Sequence, residues 1–385
     1  MTSSPHVVVI GAGTLGMATA SNLCAQGARV TVLEANGLAS GSSGRSVGVV
    51  GTQFTDPFEI MLRTHAIRQF RDWESKGFKF NHVGYLRLAR TEAQMALFEQ
   101  SVSMQAEAGF RSRLYRANDL TQLVPHMNVD GLAGGIFGPD DGFIDPYELC
   151  NFLAEEVRAK GGIVRQACKV LGVKRVAGGY SLETAKGDIG CDIVVNAAGA
   201  WARQVAAMFG QELWVHPERH EAISIHLDRP LDYVMPMVMD LVNGEGTGLN
   251  FRHEKSTELI AEVHKVKSRE PEDPDAYNEQ CDEDSKVDLA EMLLERVPDL
   301  PGASLGRGWA GLYPVTADHR PFVGPIDMSE PTLVTAAGAG GYGIQLSPVI
   351  GQVAADWALQ GAPVSAPGTE ILRPTSDRNR PVSPT

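Results

Sequence analysis

The 385-residue chain is short of positive charge. Lys and Arg number 34 against 47 Asp and Glu, a formal net charge of −13 with His neutral. Proteins that grip nucleic acid neutralise its phosphates with Lys and Arg, so a partner of that class is excluded. A polybasic membrane anchor is excluded on the same ground. Cysteine is scarce and unpaired: Cys24, Cys150, Cys168, Cys191 and Cys281 show no CxxC spacing. That pattern argues against a disulfide framework or a metal site, and it fits a reducing, cytoplasmic setting. No internal repeat is present. With 43% hydrophobic and 21% charged residues, the composition is that of a globular chain of two or three domains.

One segment has no charge at all. From Val7 to Ala28 there is no Asp, Glu, Lys or Arg, which is long enough for a membrane span. Its glycines give a better reading. Val7–Ile10 is a β-branched run of the kind buried on both faces of a sheet. Gly11-Ala12-Gly13-Thr14-Leu15-Gly16 follows, then a helix from Leu15 to Gln26, then a second strand over 30–33 ending at Glu34. This is a βαβ unit carrying GxGxxG, with an acidic residue eighteen positions after the last glycine. Gly11 permits the tight turn, Gly13 lets backbone approach a pyrophosphate, and Gly16 lets helix pack on strand. Glu34 would accept from ribose hydroxyls and disfavours a 2′-phosphate. The motif predicts dinucleotide binding and does not separate NAD from FAD.

Three further segments favour FAD. Gly41-Ser42-Ser43-Gly44-Arg45-Ser46 follows the second strand with small residues, hydroxyls and one cation. Val195 to Trp201 ends a buried strand in Ala197, Ala198 and Gly199, small enough for close cofactor approach. Near the C-terminus, Gly340-Gly341-Tyr342-Gly343-Ile344-Gln345 puts backbone N–H groups at a helix start, where Ser347-Pro348 reads as cap and first-turn proline. Other expected elements are helices over 57–76 and from Asp145-Pro146 to Gly161, and strands over 85–89, 163–173, 180–184 and 332–336. The acidic stretch from Arg269 to Asp284 reads as a solvated loop or helix face, and the tail from Thr375 to Thr385 as frayed.

These segments, in this order, resemble the D-amino acid oxidase superfamily of FAD enzymes. They are most like its sarcosine oxidase, D-amino acid dehydrogenase and glycine oxidase branch. The matching pieces are VVVIGAGTLGMATASNLCAQGARVTVLEA, SGSSGRSVG, IVVNAAGAWA, GWAGLYPVTADHRPFVGP and AAGAGGYGIQLSPVIGQ. The resemblance implies an α/β fold: a Rossmann-like FAD-binding domain interleaved with an α+β substrate domain containing an antiparallel sheet. The first would comprise 1–78, 145–213 and 303–372, the second 79–144 and 214–302, with 373–385 a tail. It implies FAD contacts from the glycine loop, from Glu34 and Ala35, from Ser42 to Ser46, from Val170, from Ala197, Ala198, Gly199 and Trp201, and from Gly340 to Gln345. It also implies oxidation of a C–N bond: hydride goes to flavin N5, and water hydrolyses the resulting imine.

The chain departs from that family on the substrate side. Relatives carry a carboxylate-gripping arginine a few residues beyond GRS, where Gly51 stands. D-amino acid members have another just after WAGL, where Tyr313 stands, as in the sarcosine and dimethylglycine branch. Gly311 replaces the cysteine that bonds flavin in monomeric sarcosine oxidases, so FAD is expected to be non-covalent. Asn250 stands where those oxidases use an oxygen-activating lysine, so the electron acceptor is O2 or else a quinone or partner subunit. The candidate catalytic residues are Tyr313 and His220. The candidate substrate contacts are Gly51, Asn250, Arg252, Tyr313, Gly341 and Tyr342, with Arg219 as a further cation; His319 reads as loop structure. The expected substrate is a small amine or amino acid, a secondary or N-methylated amine being favoured. A D-amino acid dehydrogenase, a hydroxy-acid oxidoreductase and an FAD subunit of a larger complex are the alternatives.

Overall fold

A computed structural model describes residues 4–241, 248–264 and 270–382. Two large sheets organise it. The first has six strands in the order Phe322–Pro325, Leu333–Ala337, Ile193–Asn196, His6–Ile10, Arg29–Leu33, Ile163–Arg165. All neighbours run parallel except the first pair. Val7, Val8 and Val9 are fully buried, as a strand covered on both faces requires. The charge-free segment is thus a strand and the helix Thr14–Ala25. Among the described residues no helix is long and apolar enough to cross a membrane.

The second sheet has eight strands. From Ser304–Val315 it runs through His216–His226, Glu258–His264, Gly248–Lys255, Met237–Leu241, Tyr85–Ala89 and Gly134–Gly138 to Arg113–Arg116. Every pairing in it is antiparallel except that of Met237–Leu241 with Tyr85–Ala89. The twelve-residue strand Ser304–Val315 pairs along His216–His226, although the sequence reading groups 303–372 with the nucleotide-binding part. Its alternating pattern of half-buried and buried residues is that of an antiparallel edge.

Two local expectations need correction. The C-terminal helix is Gly343–Gln360 and contains Pro348, so Ser347 is no cap. Pro348 cannot donate to the Ile344 carbonyl; the Ser347 hydroxyl does so instead, at 2.9 Å, which lets the helix run through. The tail is not frayed where it is described. The Arg378 guanidinium donates to Asp318, and Asn379 both accepts from the Trp214 N–H and donates to the Glu212 carbonyl. Residues 383–385, and Arg269 at the head of the acidic stretch, lie outside the described residues. All five cysteines are free and buried.

The segment after Gly51 is tied down by Asp141, which is 1% exposed. It accepts from Gln53 Nε2 at 2.9 Å and from Thr52 Oγ1 at 3.0 Å. Burial pushes its carboxyl up to about 6, against the pull of those bonds. A folded pKa above the unfolded one gives stability that is complete below about pH 4 and lost as pH rises through 6, in total about 3 kcal/mol. Asp141→Asn is expected to flatten the fall of Tm between pH 4 and 7. A slope unchanged in the variant would contradict this assignment.

Candidate active site

A long cavity of about 370 Å³ starts at the first βαβ unit and ends against the second sheet. Gly11, at φ +107°, turns the chain where a Cβ would strike the Ala197 carbonyl. A Cβ on Gly16 would fall on the Gly11 carbonyl. The helix Thr14–Ala25 starts at Gly13 with no side-chain cap and no acid in its first turn. Thr14 N donates to Ser43 Oγ at 3.1 Å, so the glycine loop and the serine segment are one structure. The positive end of this helix therefore faces the cavity, ready for an anionic diphosphate.

Glu34 holds this end in shape. Its carboxylate accepts from Ala12 N and Asn36 N, each at 2.8 Å, and from Ser40 Oγ at 3.4 Å. Further lining comes from Gly13, Thr14, Leu15, Ala35, Ser42, Ser43, Ser46, Val170, Ala197, Ala198, Gly199 and Trp201. At the far end Gly340, Gly341, Gly343 and Ile344 line the cavity, where the helix Gly343–Gln360 also begins without a capping side chain or an acid.

Some residues expected at the cofactor stand one step back. Gly16 and Gly44 are packing glycines whose Cβ would meet Gly11 and Ala39 carbonyls. Arg45 is turned away: it donates to the Ser40 carbonyl and pairs with Glu279 at 2.6 Å. Gln345 accepts from Gly51 N at 3.3 Å. The ring of Tyr342 meets Phe54 edge-on at 5.6 Å. Sequence reasoning missed Ser40, Lys169, Gln204, Leu312 and Asp275 on the cavity wall. The acidic stretch is largely exposed where described, as a solvated loop would be, and Asp275 reaches the cavity wall. Its carboxylate accepts from Trp201 Nε1 at 2.9 Å, and Glu279 pairs with Arg45, so this stretch closes along the cavity.

At the second-sheet end the half-buried Tyr313 ring stacks on His220, with centroids 3.9 Å apart and planes at 19°. Gly341 packs directly against the Tyr313 ring. Burial, with help from Glu262 and Tyr342, holds the Tyr313 hydroxyl well above its ordinary pKa, so it stays protonated. His220 Nε2 lies 3.7 Å from Glu218. Glu262, on the neighbouring strand, is half-buried, and desolvation raises its carboxyl; the charge of His220 and a hydrogen bond from Asn250 oppose the rise. Asn250 Oδ1 is buried with no partner among the described residues.

Two expected substrate contacts are otherwise engaged. Arg252 donates from Nε and Nη2 to the Val47 carbonyl and from Nη1 to Glu254, with its guanidinium over Phe143; it is a structural cation. Arg219 is held by Asp282, Glu221 and the Asn278 carbonyl. At Gly51 the space a side chain would need is filled by the ring of Tyr85. An arginine there has no room beside the Tyr85 ring. Among the described residues no cluster could hold a metal ion.

Residues 6–357 match the family model for DAO, the FAD-dependent oxidoreductases. The chain belongs to this family. FAD is its cofactor, and the two uncapped helix starts, the small-residue lining and Glu34 fit that molecule. The chain is 28% identical to mitochondrial dimethylglycine dehydrogenase of Rattus norvegicus over 93% of its length, spanning 43% of that relative. It is 23% identical to glycine oxidase of Geobacillus kaustophilus, with 92% and 93% of the two chains covered. L-proline dehydrogenase of P. horikoshii shares the fold, with TM-score 0.85, 24% identity and coverage of 97% and 98%. Gly311 sits against Arg45 on the strand beside the cavity and carries no thiol.

Gly16→Val is expected to yield protein without the flavin absorbance, because the new side chain drives the helix off the Gly11 carbonyl. Purified Gly16→Val with wild-type flavin content would refute the role given to this contact.

Proposed function

We propose that the protein oxidises the C–N bond of a small amine or amino acid, with a secondary or N-methylated amine favoured. The observation that carries this reading is Tyr313, a half-buried and neutral hydroxyl at the far end of the cavity beside Gly341. The names of the relatives point the same way: dimethylglycine and sarcosine dehydrogenases act on N-methylated glycines. Bound FAD, non-covalent in this reading, supplies a two-electron acceptor for a hydride from the carbon next to nitrogen.

The chain's part is to bind and orient. Tyr313, Tyr342, Phe54 and Tyr85 bring aromatic surface together at this end. Ring faces suit N-methyl groups, and low polarity favours the neutral amine whose lone pair drives hydride loss. The Tyr313 hydroxyl hydrogen-bonds the amine, and His220 positions Tyr313 by stacking on it. Backbone N–H groups at the start of Gly343–Gln360 would favour negative charge on the cofactor when it is bound. Asn250 stands beside Glu262 where the resemblance would put an oxygen-activating lysine, which supports a quinone or partner protein over O2 as the electron acceptor.

Mixing the holoenzyme anaerobically with sarcosine, N-methylated amino acids, D-amino acids, glycine and 2-hydroxy acids tests the reading. Bleaching of the flavin band by N-methyl amines, with slow recovery in air, is expected. Bleaching by hydroxy acids alone would overturn it. Tyr313→Phe is expected to keep its flavin and to slow bleaching by about 10–100-fold, the loss of one buried hydrogen bond in the transition state; an unchanged rate removes Tyr313 from the mechanism.

A further inference from the structure

The acidic stretch is attached in two different ways on the two sides of the cavity. Its ends are tied to the second sheet, largely through the main chain. Glu272 N donates to the Pro217 carbonyl at 2.9 Å, and Ala310 N donates to the Glu279 carbonyl at 2.8 Å. Arg219 Nε donates to the Asn278 carbonyl at 2.8 Å, and Asp282 N donates to the Glu221 carboxylate at 2.9 Å. Cys281 is buried against Gly308. Residues 272–282 thus leave the strand His216–His226 and come back to the same sheet.

Between those ties the segment crosses to the cofactor side, and there only side chains hold it among the described contacts. Asp275 accepts from Trp201 Nε1 at 2.9 Å, and Glu279 pairs with Arg45 at 2.6 Å. Asp275 and Trp201 both line the cavity. The Trp201 ring lies 3.5 Å from where a Cβ on Gly41 would stand, and Arg45 donates to the Ser40 and Gly41 carbonyls. The crossing segment, Trp201 and the glycine–serine loop therefore make one continuous wall. Its weak joint is plain. Asp275 is exposed, and the side chains of Arg45 and Glu279 are 25% and 57% exposed. Exposed pairs of this kind are weak and screened by salt. Charge works against the joint as well: residues 270–284 carry eight acids and no Lys or Arg, and the cavity they cover suits a diphosphate.

We propose that residues 272–282 form a strap that gates FAD exchange: its middle lifts from Trp201 and Arg45 while its ends stay on the second sheet, and FAD enters and leaves through the opening. Such a local opening breaks only the weak contacts and leaves the sheet intact. The inference is independent of the amine reading. It rests on FAD being non-covalent, which acid precipitation of the holoprotein reads separately, by flavin left in the supernatant.

Holoproteins of wild type, Asp275→Ala, Glu279→Gln and the double variant are compared in two measurements. The rate of FAD release is followed after dilution, with free flavin separated by gel filtration at timed intervals. The Kd comes from the flavin retained at equilibrium across a dilution series. A gate speeds entry and exit alike, so release accelerates while Kd changes little; a plain cofactor contact raises Kd in step with release. Each single variant is expected to release FAD about 3–10-fold faster and the double variant about 10–50-fold faster, with Kd within about threefold. Added salt is expected to speed release from wild type more than from Glu279→Gln. Glu92→Gln, which breaks an exposed pair with Arg116 at the opposite edge of the second sheet, is expected to release FAD at the wild-type rate.

Unchanged release in the double variant would overturn the strap, and so would a Kd that rises in proportion to release. If the double variant does not fold, Glu279→Gln, which removes one exposed charge, decides by the same two readouts. Flavin that stays with the acid-precipitated protein overturns the non-covalent reading and the strap with it. Soluble flavin with unchanged release overturns the strap alone.

Discussion

Two helices begin at one cavity with no carboxylate in their first turns. The rest of the structure follows from that constraint. Helix starts present unpaired N–H groups and partial positive charge, which an acidic chain would ordinarily cap with Asp or Glu. Here Asp56 and Asp145 cap other helices, while Gly13 and Tyr342 stand at the two that face the cofactor. Glycine is required because backbone must come close: Gly11 lies on the Ala197 carbonyl and Gly16 on Gly11. The acid that is admitted, Glu34, is directed by two backbone N–H groups towards its own loop and the cavity wall.

The far end obeys the opposite rule. It is built from rings and from groups kept neutral or singly paired. Tyr313 and Tyr85 are both held protonated by burial. The second sheet supplies Tyr313, His220, Glu262 and Asn250 from four strands in or near register: His220 pairs with Gly311, and Asn250 with Glu262. One end of the cavity thus suits a diphosphate and ribose, and the other suits a small molecule with an apolar body.

The nucleotide half was legible because its signal is local. GxGxxG, the β-branched strands and Glu34 all lie within one βαβ unit, and each glycine answers a backbone contact that sequence spacing encodes. The start of the C-terminal helix was misplaced because Ser347-Pro348 imitates a helix entrance; only the hydroxyl bond to Ile344 shows that the helix passes through. The substrate half was harder because its partners are long-range. Arg252 looked available until Val47 and Glu254 closed on it.

The most direct test of the account is the product of a single anaerobic turnover with an N-methyl amino acid. The account predicts one equivalent each of formaldehyde and the demethylated amino acid for every flavin reduced, because water hydrolyses the imine that hydride loss leaves behind. Flavin reduction without a carbonyl and an amine product, or reduction by 2-hydroxy acids with the corresponding keto acid, would contradict it.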